Sequence, residues 1–153
     1  MAHTFTSILI HIIFSTKNRD PLLTPDRRQR LFPYMGGILR ELQSTPLLLN
    51  GTDDHLHILT SLPATRALSD LLKELKAVSS GWARDTLTPD FGWQTGYAAF
   101  SVSQSAAETV RTYIANQERH HQRISFQDEY LQFLKRHNLP YDPRFVFDGE
   151  WVA

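Results

Sequence analysis

The segment Thr6–Phe14 reads Thr, Ser, Ile, Leu, Ile, His, Ile, Ile, Phe, apolar on both alternation faces and rich in β-branched side chains. Successive side chains of a strand point to opposite faces, so this pattern predicts a central strand that needs cover on both sides. A helix bundle, or a sheet with one face in water, would leave half of these groups exposed. The apolar run Ile8–Phe14 is interrupted by His11. It is far shorter than the ~20 residues of a membrane span. No charged-then-apolar leader opens the sequence, so the expectation is a soluble, cytoplasmic protein without membrane attachment.

The segments after this strand set the architecture. Thr24-Pro25 marks the start of a helix to about Gln43, with Pro33 and Gly36-Gly37 expected to kink it. Pro46–Leu49 reads as a short strand, Asn50-Gly51 as a turn, and His55–Leu62 as the returning strand of a hairpin. Thr65 then heads a helix whose stripe is Leu68, Leu71, Leu72, Leu75, Val78 and Trp82. Gly96–Ser103 alternates as a fourth strand. The order βαββαβ predicts an α+β, ferredoxin-like antiparallel sheet with two helices on one face. Ser105 and Glu108 are spaced as a capping box for a further helix to about Gln122, and Phe126–Leu134 forms a final amphipathic segment. The chain is expected to be one domain, residues 1–153: a core over 4–104, a helix over 105–122, and a terminal helix with its tail over 125–153.

At 153 residues the chain can bury a core without disulfides, and its lack of cysteine removes thiol redox chemistry and Cys-zinc sites. A metal would have to sit on imidazole, carboxylate or amide oxygen. Sixteen cations balance sixteen acids, but Lys17, Arg19, Arg27, Arg28 and Arg30 cluster. Such a cluster is either a solvated helix face or a phosphate-binding patch.

Two groupings suggest chemistry. His55-Leu56-His57 places both imidazoles on one strand face, about 7 Å apart along the backbone, where they either chelate one divalent ion or stand as separate hydrogen-bonded histidines. Tyr113 and Gln117 are four residues apart, on one side of the predicted helix. His120 and His121 come next, beside Arg119 and Arg123, suited to a helix C-terminus or to proton transfer.

Taken together, several segments carry a resemblance: His11–Lys17; Asn50-Gly51 with Asp54–Leu59; Lys76 with Ser79-Ser80; Trp93–Ser101; and Tyr113-Ile-Ala-Asn-Gln117. Over nearly its whole length the chain resembles small insertion-sequence transposases of the single-tyrosine HUH class and their relatives associated with repetitive extragenic palindromes. The resemblance implies that His55, His57 and Gln117 bind a divalent cation, Mg2+ or Mn2+, and that Tyr113 is the nucleophile. It implies metal-dependent cleavage and rejoining of single-stranded DNA at hairpin-bearing element ends through a 5′-phosphotyrosine, by a homodimer without a nucleotide cofactor. Lys17, Arg19, Lys73, Lys76 and Arg84 are the expected phosphate contacts. Two other functions compete: an HUH replication initiator or relaxase nickase, and a non-catalytic ferredoxin-like nucleic-acid-binding module.

Overall fold

The computed structural model describes residues 3–147, and residues 148–153 of the expected tail lie outside the described residues. Its strands are β1 (Leu9–Ser15), β2 (Pro46–Gly51), β3 (His55–Ser61) and β4 (Ala98–Val102). They form one sheet in the order β2-β3-β1-β4, every neighbour antiparallel. This is the ferredoxin-like arrangement, with β1 inside the sheet as its two-sided apolar pattern requires.

Two helices, α1 (Pro25–Glu41) and α2 (Leu68–Thr86), cover one face. Ile10, Ile12 and Phe14 of β1 join Leu56 and Ile58 of β3 against Leu31, Met35 and Leu39 of α1 and Leu71, Leu72 and Leu75 of α2. The alternate residues face the other way. Ile13 packs with Ala98 and Phe100 against Phe126, Tyr130 and Leu134. That second cover comes from α3 (Ala107–Ala115), α4 (Gln117–His120) and α5 (Phe126–Arg136). The register sets Ile13 opposite His57 and Ser15 opposite His55, so both histidines share the second face.

Several local expectations are revised. Asn50 and Gly51 are the last residues of β2, paired with His57 and Leu56, and the reversal falls on Thr52–Asp54. Asn50 is needed elsewhere: its Nδ2 donates to the carbonyls of Ile114 and Ala115, the otherwise open C-terminal end of α3. A Cβ at Gly51 would lie 2.1 Å from the His55 carbonyl oxygen, so close strand approach selects glycine there. The α1 helix runs unbroken through Pro33 and both glycines. On α2, Val78 is exposed, and Ser79 and Ala83 take the buried line. These small residues admit Trp93, whose Nε1 donates to Ser79 Oγ. Lys76 donates to the carbonyls of Gln94 and Gly96, and Gln94 Oε1 accepts from the Ser15 amide. The Lys76, Ser79 and Trp93–Gly96 segments thus staple the loop before β4 to the end of β1. Ser105 caps nothing: the turn Gln104–Ala106 precedes α3, and the expected single helix to Gln122 divides at Asn116, where ψ is 23°.

Candidate active site and metal centre

Strand alternation delivers the first components. His55 and His57 leave β3 on the second face and are fully buried. His11 leaves the neighbouring strand β1 on the same face, and its Nε2 lies 2.7 Å from His57 Nδ1. The break at Asn116 starts a new helical turn with Gln117, which is also fully buried. Its Oε1 sits 3.2 Å from His55 Nε2 and 3.0 Å from His121 Nε2. The structure thus brings His55, His57, Gln117 and Tyr113 to one place.

A carboxylate completes the cluster. Ser125 caps α5, accepting from the Asp128 amide, and one turn in, Glu129 projects toward the sheet with only 1% of its surface exposed. Its Oε1 is 2.9 Å from His57 Nε2, 3.1 Å from His121 Nε2 and 3.7 Å from His55 Nε2. Its Oε2 accepts a very short hydrogen bond from the Tyr113 hydroxyl and lies 3.1 Å from His120 Nε2. Neither Glu129 nor His121 is among the ligands anticipated from the sequence. A signal for Glu129 exists: it occupies the apolar stripe Phe126, Tyr130, Phe133, Leu134 at helical spacing, where an unpaired acid would be costly. His121 has a signal in its spacing, four residues after Gln117 and so on the same side of the helix.

The donor set fits a divalent cation. His55 Nδ1 donates to Asp54 Oδ1, so its Nε2 lone pair turns inward, while His121 Nδ1 donates to the Ile124 carbonyl and its Nε2 would offer a lone pair to an ion on losing the proton it gives Glu129. Neutral His57 donates from Nε2 to Glu129, so its Nδ1 accepts from His11 Nε2, which holds the ring in place. Ligand atoms of His55, His57, His121 and Glu129 all lie within 4.8 Å of one another. Bonds of about 2.1 Å to a shared ion set neighbouring donors roughly 3 Å apart, and Glu129 Oε1 stands 2.9, 3.1 and 3.7 Å from the Nε2 atoms of His57, His121 and His55. Such electron-rich atoms facing each other repel unless a proton or a cation lies between them.

Electrostatics follow from burial and from Glu129. Burial lowers His57 to about 4 and His11 to about 3, so both are neutral near pH 7. Burial also opposes charge on His121, but hydrogen bonding to Glu129, the charge of Glu129 and the Ile124 carbonyl outweigh it and raise its pKa. Glu129 is penalised by burial, yet bonds from His121, His57 and Tyr113 hold it ionised, well below the usual carboxylate range. Burial, and after it the Glu129 charge, pushes the Tyr113 phenol above its ordinary value.

The expected phosphate contacts are scattered. Arg19, in left-handed backbone geometry, lines a groove of about 580 Å³ beside the cluster with Arg28, Thr52, His121, Ser125 and Phe126. Arg28 is tied to Asp53 and Glu118 at 2.8 and 2.6 Å. Lys17 is exposed, its amide bonded to the Gly92 carbonyl. Lys73 and Arg84 are exposed on α2, behind the sheet from the cluster, and Lys76 is engaged by the loop carbonyls. Among the described residues no helix is long and apolar enough to cross a membrane.

Residues 4–117 match the family model described as "Transposase IS200 like". No curated protein matches the sequence. Among solved structures, the fold is similar to a candidate transposase from Deinococcus radiodurans R1, with TM-score 0.61 and 21% identity over 76% of this chain and 96% of that one. It is also similar to a REP-associated tyrosine transposase bound to a REP hairpin, with TM-score 0.59 and 15% identity over 100% of this chain and 98% of that one.

Proposed function

Since the chain belongs to the IS200-like transposase family, and so to enzymes of DNA cleavage and strand transfer, we propose that it cuts and rejoins single-stranded DNA at hairpin-bearing ends, with Tyr113 as nucleophile. The observation that carries this reading is the convergence of Tyr113 and Gln117 on the His55/His57 pair from separate elements. A scattered set would have favoured the non-catalytic binding module. The bound hairpin of the similar REP-associated transposase supports a hairpin substrate here.

A phosphodiester resists attack because its anionic oxygens repel the nucleophile and its sugar oxygen leaves poorly. His55, His57 and Gln117 would hold the divalent ion, Mg2+ or Mn2+, with His121 and Glu129 within reach. When bound, that ion supplies Lewis-acid polarisation of the phosphoryl group. Tyr113 attacks phosphorus in line through its Oη, breaking the bond to the 3′-oxygen, which leaves as a 3′-hydroxyl after protonation. The resulting 5′-phosphotyrosine conserves a phosphodiester bond, so another 3′-hydroxyl can displace the phenol and rejoin DNA without ATP.

Asp54 at His55 Nδ1 and His11 at His57 Nδ1 stop the rings from turning, which fixes the direction from which His55 and His57 would hold the ion. Lys17 and Arg19 are positioned for the strand near the cut, and exposed Lys73 and Arg84 for the phosphates of a more distant hairpin stem. The chain acts as a single domain and pairs as a homodimer.

The test mixes protein, Mn2+ and labelled single-stranded DNA from the flanks of its own gene. A denaturant-resistant adduct is expected, absent without metal and absent in Tyr113→Phe. An adduct that persists in Tyr113→Phe refutes the assignment of the nucleophile, and hairpin binding without any cleavage favours the binding module.

A further inference from the structure

Of His55, His57 and Gln117, only the glutamine lies outside the sheet. It meets His55 from 62 residues away in the chain, and it sits on α4, a helix of four residues that is too short to hold a direction by itself. Its aim depends on the break at Asn116, where φ is −100° and ψ is 23°. A break of this kind leaves the last carbonyls of the preceding helix without the amides that a continuing helix would supply. Asn50 supplies donors from the sheet: its Nδ2 lies 2.9 Å from the Ile114 carbonyl oxygen and 3.2 Å from that of Ala115. In the β2–β3 register Asn50 stands opposite His57. The side chain that fastens the end of α3 therefore belongs to the pair of strands that presents the histidines.

Arg28 makes a second tie, on the other side of Gln117. Its Nη2 donates to Glu118 Oε1 at 2.6 Å, and its Nη1 donates to Asp53 Oδ1 at 2.8 Å and to the Leu23 carbonyl at 2.7 Å. Glu118 follows Gln117 directly, and Asp53 stands two residues before His55. One buried guanidinium thus joins the segment that begins β3 to the segment that begins α4. Stability does not explain these pairs: the Asp53 and Glu118 side chains are 60% and 71% exposed, and ion pairs so open to water contribute little. Phosphate binding does not explain them either. Two carboxylates on one guanidinium leave net negative charge there, which repels a DNA strand, whereas a planar fork that bridges two acids fixes their separation.

We propose that Asn50 and Arg28 are positioning residues that act through Gln117: they fix the chain on either side of the break at Asn116 and so aim the Gln117 amide oxygen at the ion that His55 and His57 hold. This inference rests on the assignment of His55, His57 and Gln117 as the metal site. It removes Arg28 from the phosphate-binding patch and gives Asn50 a part in metal binding.

Two measurements decide it, both on the full chain without DNA. Mn2+ affinity is titrated calorimetrically in wild type, Asn50→Asp, Arg28→Lys and Gln117→Ala, and in each of the first two variants combined with Gln117→Ala. Asn50→Asp keeps the side-chain shape and removes the donor, while Arg28→Lys keeps the charge and removes the fork. Each is expected to weaken Mn2+ binding about tenfold. For Asn50→Asp the added negative charge would by itself strengthen cation binding, so a loss reports geometry. Neither variant should weaken binding further once Gln117 is gone, because effects that pass through one group are not additive. Additive losses, or wild-type affinity in Asn50→Asp and Arg28→Lys, overturn the proposal. Hydrogen exchange is then followed at the amides of His120 and His121, which bond to the Asn116 and Gln117 carbonyls. Both should exchange faster in Asn50→Asp and Arg28→Lys while β1 and β3 keep their rates. If wild type binds no Mn2+, the metal-site reading fails by itself, and exchange at these two amides still decides whether Asn50 and Arg28 fix the break: unchanged rates overturn the clamp.

Discussion

The two faces of the sheet are made by the same strands and do different work. On one face Ile12, Phe14, Leu56 and Ile58 meet α1 and α2 in an apolar layer. One residue along on each strand, His11, Ile13, His55 and His57 look toward α3–α5 and into a layer that holds five imidazoles, an amide, a phenol and a carboxylate. A pleated strand separates stability from chemistry at no cost in length, because a shift of one residue changes the face. The apolar side needs no particular partner for any one group. The polar side works only if every donor and acceptor finds its counterpart.

The largest difference between the faces is expected in stability. Phe14→Ala, at a position with no exposed surface, should lower unfolding free energy by about 3–5 kcal/mol in urea titration, while Tyr113→Phe, which removes one hydrogen bond to the Glu129 carboxylate, should lower it by about 1.5–3 kcal/mol. Comparable losses from both would erase the contrast.

Activity should show the reverse ordering. His55→Ala and His57→Ala are each expected to reduce cleavage by more than about 100-fold, with hairpin binding weakened far less. In calorimetry or thermal shift, Mn2+ at a hundredfold excess over its dissociation constant should stabilise wild type by about 2.7 kcal/mol. Loss of that stabilisation in both variants sharpens the comparison, and its retention removes the histidines from the metal site.

Acid should act through the polar face. His57, lowered to about 4, and His11, lowered to about 3, are neutral when folded and titrate near pH 6.5 when unfolded. Below about pH 6.5 the unfolded chain therefore binds more protons, so stability is complete above that value and declines as pH falls toward 4. The depressed Glu129 adds to the loss at the acid end, and the raised His121 opposes it. Melting temperatures of metal-free protein between pH 7.5 and 4.5 should trace this decline, and a flat profile would contradict it.

The smallest effects belong to the outside of α2. Lys73→Ala and Arg84→Ala should leave cleavage at saturating DNA unchanged and weaken hairpin binding modestly, each reducing the salt slope of binding by about 0.7–0.9. An unaltered slope would remove these residues from the DNA surface.

The βαββαβ order and the buried central strand were legible because two-residue alternation and helical stripes are local patterns. The His55/His57 pair was legible for the same reason, since alternation alone puts both rings on one face. Local pattern was misleading at Asn50-Gly51, where the dipeptide has turn chemistry but tertiary contact with the α3 carbonyls keeps it in β2. The contribution of Glu129 is 72 residues from His57 in the chain, and nothing in local spacing pairs them. Its only trace is an acid within an apolar stripe. His121 was visible as a histidine four residues from Gln117, on the same side of the helix, but its meeting with Glu129 depends on α5 folding back over the sheet.

The central claim is that the polar face exists to present Tyr113 to a phosphodiester. Its most direct test is to trap the protein–DNA adduct with Mn2+, digest protein and DNA, and locate the modified residue by mass spectrometry. The expected product is a nucleotide phosphate on the peptide containing Tyr113, attached through the phenolic oxygen. A nucleotide on any other residue, or cleaved DNA with no covalently modified peptide, would contradict it.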